Sequence, residues 1–140
     1  MGLDNGIMMK GKTKEGKKFL KKYFSEWLDK YYTTEKEEIY EVTYWRKYWN
    51  LRNLMFDNNF GVNEDHYILK IADLPVIVEK VIKPFLNEDY WNENDNSIWD
   101  WDEAIRNLGN NIFNLRYLMR MVEQKKITDN DIEIWFYDSY

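Results

Sequence analysis

A chain of 140 residues, 44 % of them hydrophobic, is long enough to bury one core and predicts a single domain over 1–140. It has no cysteine, which excludes disulfides, thiolate metal sites and a Cys nucleophile, and it lacks any apolar run of the length a membrane span needs. The net charge of −5 is unevenly spread: residues 1–22 carry seven Lys against Asp4 and Glu15, so the remainder stands at −10, unlike the broad basic face that direct nucleic-acid binding requires.

Residues 1–11 alternate Leu3, Asn5, Ile7 and Met9 against Gly2, Asp4, Gly6 and Met8, which predicts a first strand. Thr13 is a plausible N-cap for a helix over about 14–32, with Leu20, Phe24, Trp27, Leu28 and Tyr31 as its apolar stripe. Its lysines lie mostly off that stripe and solvate the outer face. Thr33 to Glu37 reads as a turn or a capping box. Beyond it, a strand over 39–43 followed by a helix over 44–57 competes with a single helix over 35–57, and periodicity leaves both open. In the helical reading Tyr44, Tyr48, Leu51 and Met55 share a face, beside Trp45, Trp49 and Phe56.

Asp57 to Gly61 ends that segment, and Tyr67–Ile71 predicts another short strand. Asp73 is expected to cap a helix opening Leu74-Pro75, with Val78, Val81, Ile82 and Phe85 inward and Pro84 bending or ending it. Residues 87–97 form a polar loop. The longest helix starts at Trp99 or Asp100 and runs to about Lys126, with Ile105, Leu108, Ile112, Leu115, Leu118, Met119 and Val122 inward and Gly109 permitting close packing. A last strand covers Ile132–Tyr137. The sum is an α+β fold: a small, mostly antiparallel sheet including the N- and C-terminal strands, packed with three to four helices.

Motifs that would carry catalysis are scarce. His66 is the single histidine and has no partner motif for a triad or a zinc site. No Gly-rich phosphate loop occurs, and no sequence feature brings two carboxylates together for acid–base work. Between Asn92 and Glu103, Asn94, Asn96 and Asp100 fall at calcium-loop spacing, but the first position is Asn and the sixth is Ser97 instead of Gly. Such a loop caps the following helix more often than it binds calcium, so no metal and no cofactor is assigned.

Two blocks remain as candidates. The first is acidic and aromatic: Glu88, Asp89, Tyr90, Trp91, Glu93, Asp95, Trp99, Asp100, Trp101 and Asp102, from a stretch without a single cation. It offers a partner-binding face to a basic groove, and Trp and Tyr are the residues that most often anchor interfaces. The same aromatics also suit a homodimer contact. The second is Tyr44-Trp45-Arg46-Lys47.

Tyr44-Trp45-Arg46-Lys47, together with the opening Met1-Gly2-Leu3-Asp4 and the ending Phe136-Tyr137-Asp138-Ser139-Tyr140, resembles a group of small phage and prophage proteins. Its members open MGLDMYL, carry YWRKANAIH centrally and finish near YxSSW; Trp99-Asp100-Trp101-Asp102 is similar to their WYWxDL block. Trp49 stands where the pattern has Asn and Arg52 where it has His. The resemblance implies a phage origin and a cytoplasmic protein of the bacterial host, without a settled activity.

If the first and last strands are neighbours, Asp4, Tyr137, Ser139 and Tyr140 come near Arg46. Asp4, Tyr44, Trp45, Arg46, Lys47, Tyr137 and Ser139 would then form an anion site with aromatic faces for a base; an internal Asp4–Arg46 ion pair locking the termini onto the central helix is the expectation preferred over it, because buried charges are usually paired. The expectation is a non-enzymatic, phage-encoded inhibitor of a host protein, an anti-defence factor such as an anti-CRISPR, acting through the acidic block without membrane association. A nucleotide sponge built on Arg46 and Lys47 is the alternative, and an enzyme on nucleotides comes behind both.

Overall fold

The computed structural model describes residues 4–61, 65–87 and 101–139, the side chain of Trp101 excepted. A five-stranded antiparallel sheet carries helices on one face, the α+β arrangement expected. The strands are β1 (Asp4–Gly11), β2 (Lys30–Tyr32), β3 (Glu38–Arg46), β4 (His66–Leu69) and β5 (Ile132–Ser139), in the order β2-β3-β1-β5-β4. The N-terminal strand is therefore central, paired with β3 on one side and β5 on the other. Among the described residues the helices are α1 (Lys14–Phe24), α2 (Trp49–Asp57), a composite α3 (Ile71–Phe85) and the long α4 (Trp101–Gln124). None is long and apolar enough to cross a membrane.

Alternation along β1 sorts the two faces. Asn5, Ile7 and Met9 oppose Asp138, Phe136 and Ile134 of β5 and point toward the helices, where all six are buried. Leu20 and Phe24 of α1, Leu51 and Met55 of α2, Val81, Ile82 and Phe85 of α3, and Leu108, Leu115 and Leu118 of α4 close over them. That continuous cluster is the core. Asp4, Met8, Lys10, Tyr137 and Ser139 take the other face, which no described helix covers.

Thr13 caps α1 as expected: its Oγ1 accepts from Gly16 N at 3.0 Å and donates to Asp131 Oδ1 at 2.9 Å. Asp131 O accepts from Lys12 N and Thr13 N, so the start of α1 lies on the turn before β5. A Cβ added at Gly16 would collide with that same carbonyl oxygen. Gly16→Ala is thus expected to cost about 1–3 kcal/mol, seen as a lower midpoint in thermal denaturation.

Three boundaries differ from the expectation raised by the sequence. Helix α1 stops at Phe24 instead of continuing to 32, because Lys30–Tyr32 is drawn into the sheet as an edge strand against Tyr40, Ile39 and Glu38. Leu28 is still buried, so the apolar spacing is served by a turn. Thr33–Glu37 is the hairpin turn between β2 and β3, closed by Thr33 N to Glu37 O at 3.0 Å, with Lys36 at φ 63°.

The second difference is the larger one. Residues 44–46 are strand, not helix, and neither the helix over 35–57 nor one beginning at 44 forms; α2 starts at Trp49, after Lys47 turns the chain at φ 60°. Pairing with the central strand outweighs the local helical spacing, since β1 without β3 would leave its ladder open on that side. The imperfect alternation of β3 is a bulge: Ile7 faces Thr43 and Met8 faces Glu41, leaving Val42 without a partner in the register. Side chains absorb the displaced backbone groups. Asn114 Nδ2 donates to Val42 O at 3.1 Å, and Thr43 Oγ1 accepts from Ile7 N at 3.0 Å.

The third concerns α3. It opens as a 3₁₀ turn (Ile71–Asp73), becomes α-helical (Leu74–Ile77), widens to a π turn (Val78–Ile82) and closes as α (Lys83–Phe85). Asp73 does not cap the α-helical part; its Oδ2 accepts from Lys70 N at 2.8 Å, tying the preceding loop. The widened turn lies just ahead of Pro84, which has no N–H to donate and crowds the carbonyl four residues back. Lys83 N instead bonds to Val78 O, five residues back. Val78, Val81, Ile82 and Phe85 are buried, as their spacing predicts.

Candidate functional site

The YWRK stretch splits between the two sides of the sheet. Trp45, on the helix side, is fully buried. With the Asn111 amide oriented to suit its neighbours, Trp45 Nε1 donates to Asn111 Oδ1 at 2.7 Å, and the Asn111 amide N–H donates to Asn107 O at 3.2 Å. Asn107 Nδ2 donates to Tyr44 O at 3.2 Å. Asn107, Asn111 and Asn114 thus form a polar row on α4 that grips the bulged strand, spaced at i, i+4 and i+7. Sequence reasoning passed over this row because it tracked only the apolar face of the helix.

Tyr44 and Arg46 take the open side. In the register Asp4 sits between Arg46 of β3 and Ser139 of β5, and Gly6 sits between Tyr44 and Tyr137. Adjacency of the first and last strands therefore brings Asp4, Tyr44, Arg46, Tyr137 and Ser139 together, as the sequence blocks suggested. Asp4, Tyr44, Tyr137 and Ser139 line a surface concavity of 650 Å³ with Met8, Asp29, Tyr31 and Glu41. Asp29, Tyr31 and Glu41 belong to neither of the two candidate blocks. The pairing of β2 with β3 delivers Tyr31 and, next to it, Asp29, whose carbonyl oxygen accepts from Glu41 N, while the bulged pairing of β3 with β1 sets Glu41 opposite Met8.

This concavity is rich in phenols and carboxylates. Tyr44 Oη donates to Asp4 Oδ1 at 2.7 Å, and Tyr31 Oη donates to Glu41 Oε2 at 3.2 Å. Burial, then the Asp4 carboxylate, pushes the Tyr44 phenol up to about 12. Burial raises Tyr137 as well, with Glu41 adding to it, and the Glu41 charge raises Tyr31. The phenols stay neutral donors at physiological pH. Glu41 itself is raised, chiefly by burial and against the lowering effect of the Tyr31 bond. Among the described residues no Lys or Arg forms an ion pair with it.

Arg46 is exposed beside this surface, and its charge opposes the rise at Tyr44, but it does not line the concavity. Asp4 and Arg46 form no ion pair; Asp4 takes the Tyr44 hydroxyl instead. The ion pair that ties the C-terminal strand down is Arg52–Asp138. Arg52 Nε lies 2.8 Å from Asp138 Oδ1 and Arg52 Nη2 lies 2.8 Å from Oδ2, with the guanidinium over the Phe56 ring at 4.5 Å. Arg52, which no sequence feature placed in a site, is thus the fork that holds Asp138. Lys47 is half-buried in the turn after β3.

Of the acidic block, Glu88, Asp89, Tyr90, Trp91, Glu93, Asp95, Trp99 and Asp100 lie outside the described residues, as does most of the Asn92–Glu103 loop. Trp101 opens α4, and Asp102 is exposed in its first turn. His66 stacks on Trp135 at 4.7 Å with Glu133 at 3.7 Å, covering an indole that would otherwise lie bare on the open face. Gly109 is exposed, and a Cβ there would meet nothing within 4 Å among the described residues, so it does not serve close packing against any of them.

A second hollow of 380 Å³ between α1 and the β2–β3 hairpin mixes Lys17, Lys18, Lys21 and Lys36 with Glu35, Glu37 and Glu38. Its charges offset one another locally and select no ligand by sign. Among the described residues, no group of three or more His, Asp or Glu is arranged to hold a metal ion. No family model, no curated protein and no solved structure matches the chain.

Proposed function

We propose that this chain is a non-enzymatic binding protein, a phage-encoded inhibitor that occupies a basic surface of a host defence protein in the manner of an anti-CRISPR. The observation that carries the reading is the open-face concavity. Three carboxylates (Asp4, Asp29, Glu41) and three tyrosines (Tyr31, Tyr44, Tyr137) meet there. Arginine and lysine side chains suit that lining: carboxylates take the charge and the phenol rings take the cation or the guanidinium plane. The acidic stretch 88–103 would extend the same sign of charge. A nucleotide sponge has less support, since Trp45 is buried away from any ligand and phosphates would meet carboxylates in the concavity.

Glu41 gives the reading a pH signature. Protonation removes the charge that a basic group would pair with. Affinity for an arginine-rich peptide is therefore expected to rise with pH through a titration above the usual glutamate range, because burial raises this carboxyl. Calorimetric titration across the acid range measures it, and a pH-independent affinity speaks against the site.

The decisive experiment compares wild type with the double variant Asp4→Lys/Glu41→Lys. Each reversed charge is expected to cost about 2–5 kcal/mol of partner affinity if it is desolvated in the complex. Native mass spectrometry of tagged protein from host lysate should show a basic partner on wild type and none on the variant. A partner retained by the variant moves the contact elsewhere on the surface. A wild type recovered alone, in infected and uninfected lysates, overturns the reading.

A further inference from the structure

Helix α4 presents a face that nothing described in the chain covers. Counting 3.6 residues per turn, Asp102, Arg106, Gly109, Phe113, Arg116 and Arg120 lie within roughly 40° of the direction opposite Asn111. Asn111 is buried, only 3 % exposed, and all six residues of the stripe are exposed. Phe113 stands 52 % exposed, with Trp27 edge-on to its ring at 5.2 Å and Tyr117 parallel to it at 6.5 Å. That support holds an apolar ring out to solvent. Beside it, Gly109 opens a hollow of 470 Å³ along the helix. Glycine inside a helix disfavours it relative to alanine, and this one gains no contact with a described residue in return.

We propose that a second copy of this chain occupies this face, with the two α4 helices antiparallel about a two-fold axis at Asn111. The stripe is its own complement about that point. Gly109 and Phe113 are equidistant from it, so each Phe113 ring enters the hollow at the partner's Gly109. Asp102 and Arg120 are also equidistant, so unlike charges meet at both ends of the pair. Arg106 falls opposite the partner's Arg116, whose charge is offset by Glu79 at 3.9 Å. The contact is small, built on one aromatic knob per copy with a charged rim, and predicts a weak, reversible dimer.

Sedimentation equilibrium on the full chain in the tens-of-micromolar range tests this. Wild type is expected to dimerise. Gly109→Leu fills the hollow and is expected to be monomeric with a melting temperature equal to or above wild type, since leucine is the better helix former. Asp102→Arg should weaken association about tenfold, and the double variant Asp102→Arg/Arg120→Asp should restore it. A monomeric wild type overturns the proposal. So does a Gly109→Leu variant that dimerises like wild type, or a charge swap that fails to recover association.

Discussion

Trp45→Ala is expected to remove about 3–5 kcal/mol of folding stability, the largest single loss in this chain. Trp45 is fully buried between β1 and α4, its ring 6.4 Å from Phe136, so truncation opens a cavity at the junction of sheet and helices. It also strips the donor from the Oδ1 of Asn111, a residue only 3 % exposed, and an orphaned buried acceptor adds about 1–3 kcal/mol. Trp45→Phe separates the two contributions by keeping most of the volume and losing the indole N–H. Urea unfolding with an unchanged slope gives both values. A loss under about 0.5 kcal/mol for Trp45→Ala would mean that the residue is at the surface, as a ligand-stacking role would require.

Asp138→Asn is expected to cost about 3 kcal/mol. Asp138 is 5 % and Arg52 17 % exposed at the side chain, so removing the carboxylate's charge leaves a guanidinium largely out of water with a weakened partner. The bidentate bond joins α2 to the last strand, and its loss should loosen the C-terminal end of β5 before the rest of the sheet. Amide exchange in β5 should accelerate at its Asp138 end more than at Ile132. The double variant Arg52→Met/Asp138→Leu is expected to recover most of the loss, because apolar groups of similar size carry no desolvation cost. If the double variant is no more stable than Asp138→Asn, the pair is holding the fold through geometry that packing alone does not replace.

The open-face concavity and the asparagine row show how differently local and long-range information enter. Asp4, Tyr44, Tyr137 and Ser139 could be grouped from the sequence because they sit at corresponding ends of segments that pair by register once the terminal strands are neighbours. Glu41 joins them only because the bulge in β3 sets it opposite Met8, and Asp29 and Tyr31 could not be added at all. The stripe from Leu20 to Tyr31 fits a continuing helix, and no Gly or Pro after Phe24 marks its end. The Asn107–Asn111–Asn114 row was equally hidden: asparagines on a helix read as outer-face residues until a bulged strand supplies carbonyls for Asn107 and Asn114 and an indole N–H for Asn111.

By itself the sequence determined the class of fold, the cap at Thr13, the inward face of α4, the buried set of α3 and the placement of the terminal strands in one sheet. Each is a matter of short-range period or of a single side chain meeting its own backbone. The tertiary structure alone decided that 44–46 is strand, that Trp45 faces the core while Tyr44 and Arg46 face out, and that the ion pair near the chain ends is Arg52–Asp138 and not Asp4–Arg46. Those outcomes depend on β1 filling both of its hydrogen-bonding edges. A stretch rich in aromatics satisfies helical and strand spacing alike. What separates the two is the non-local ladder, because a buried central strand needs partners for its N–H and C=O groups on both sides.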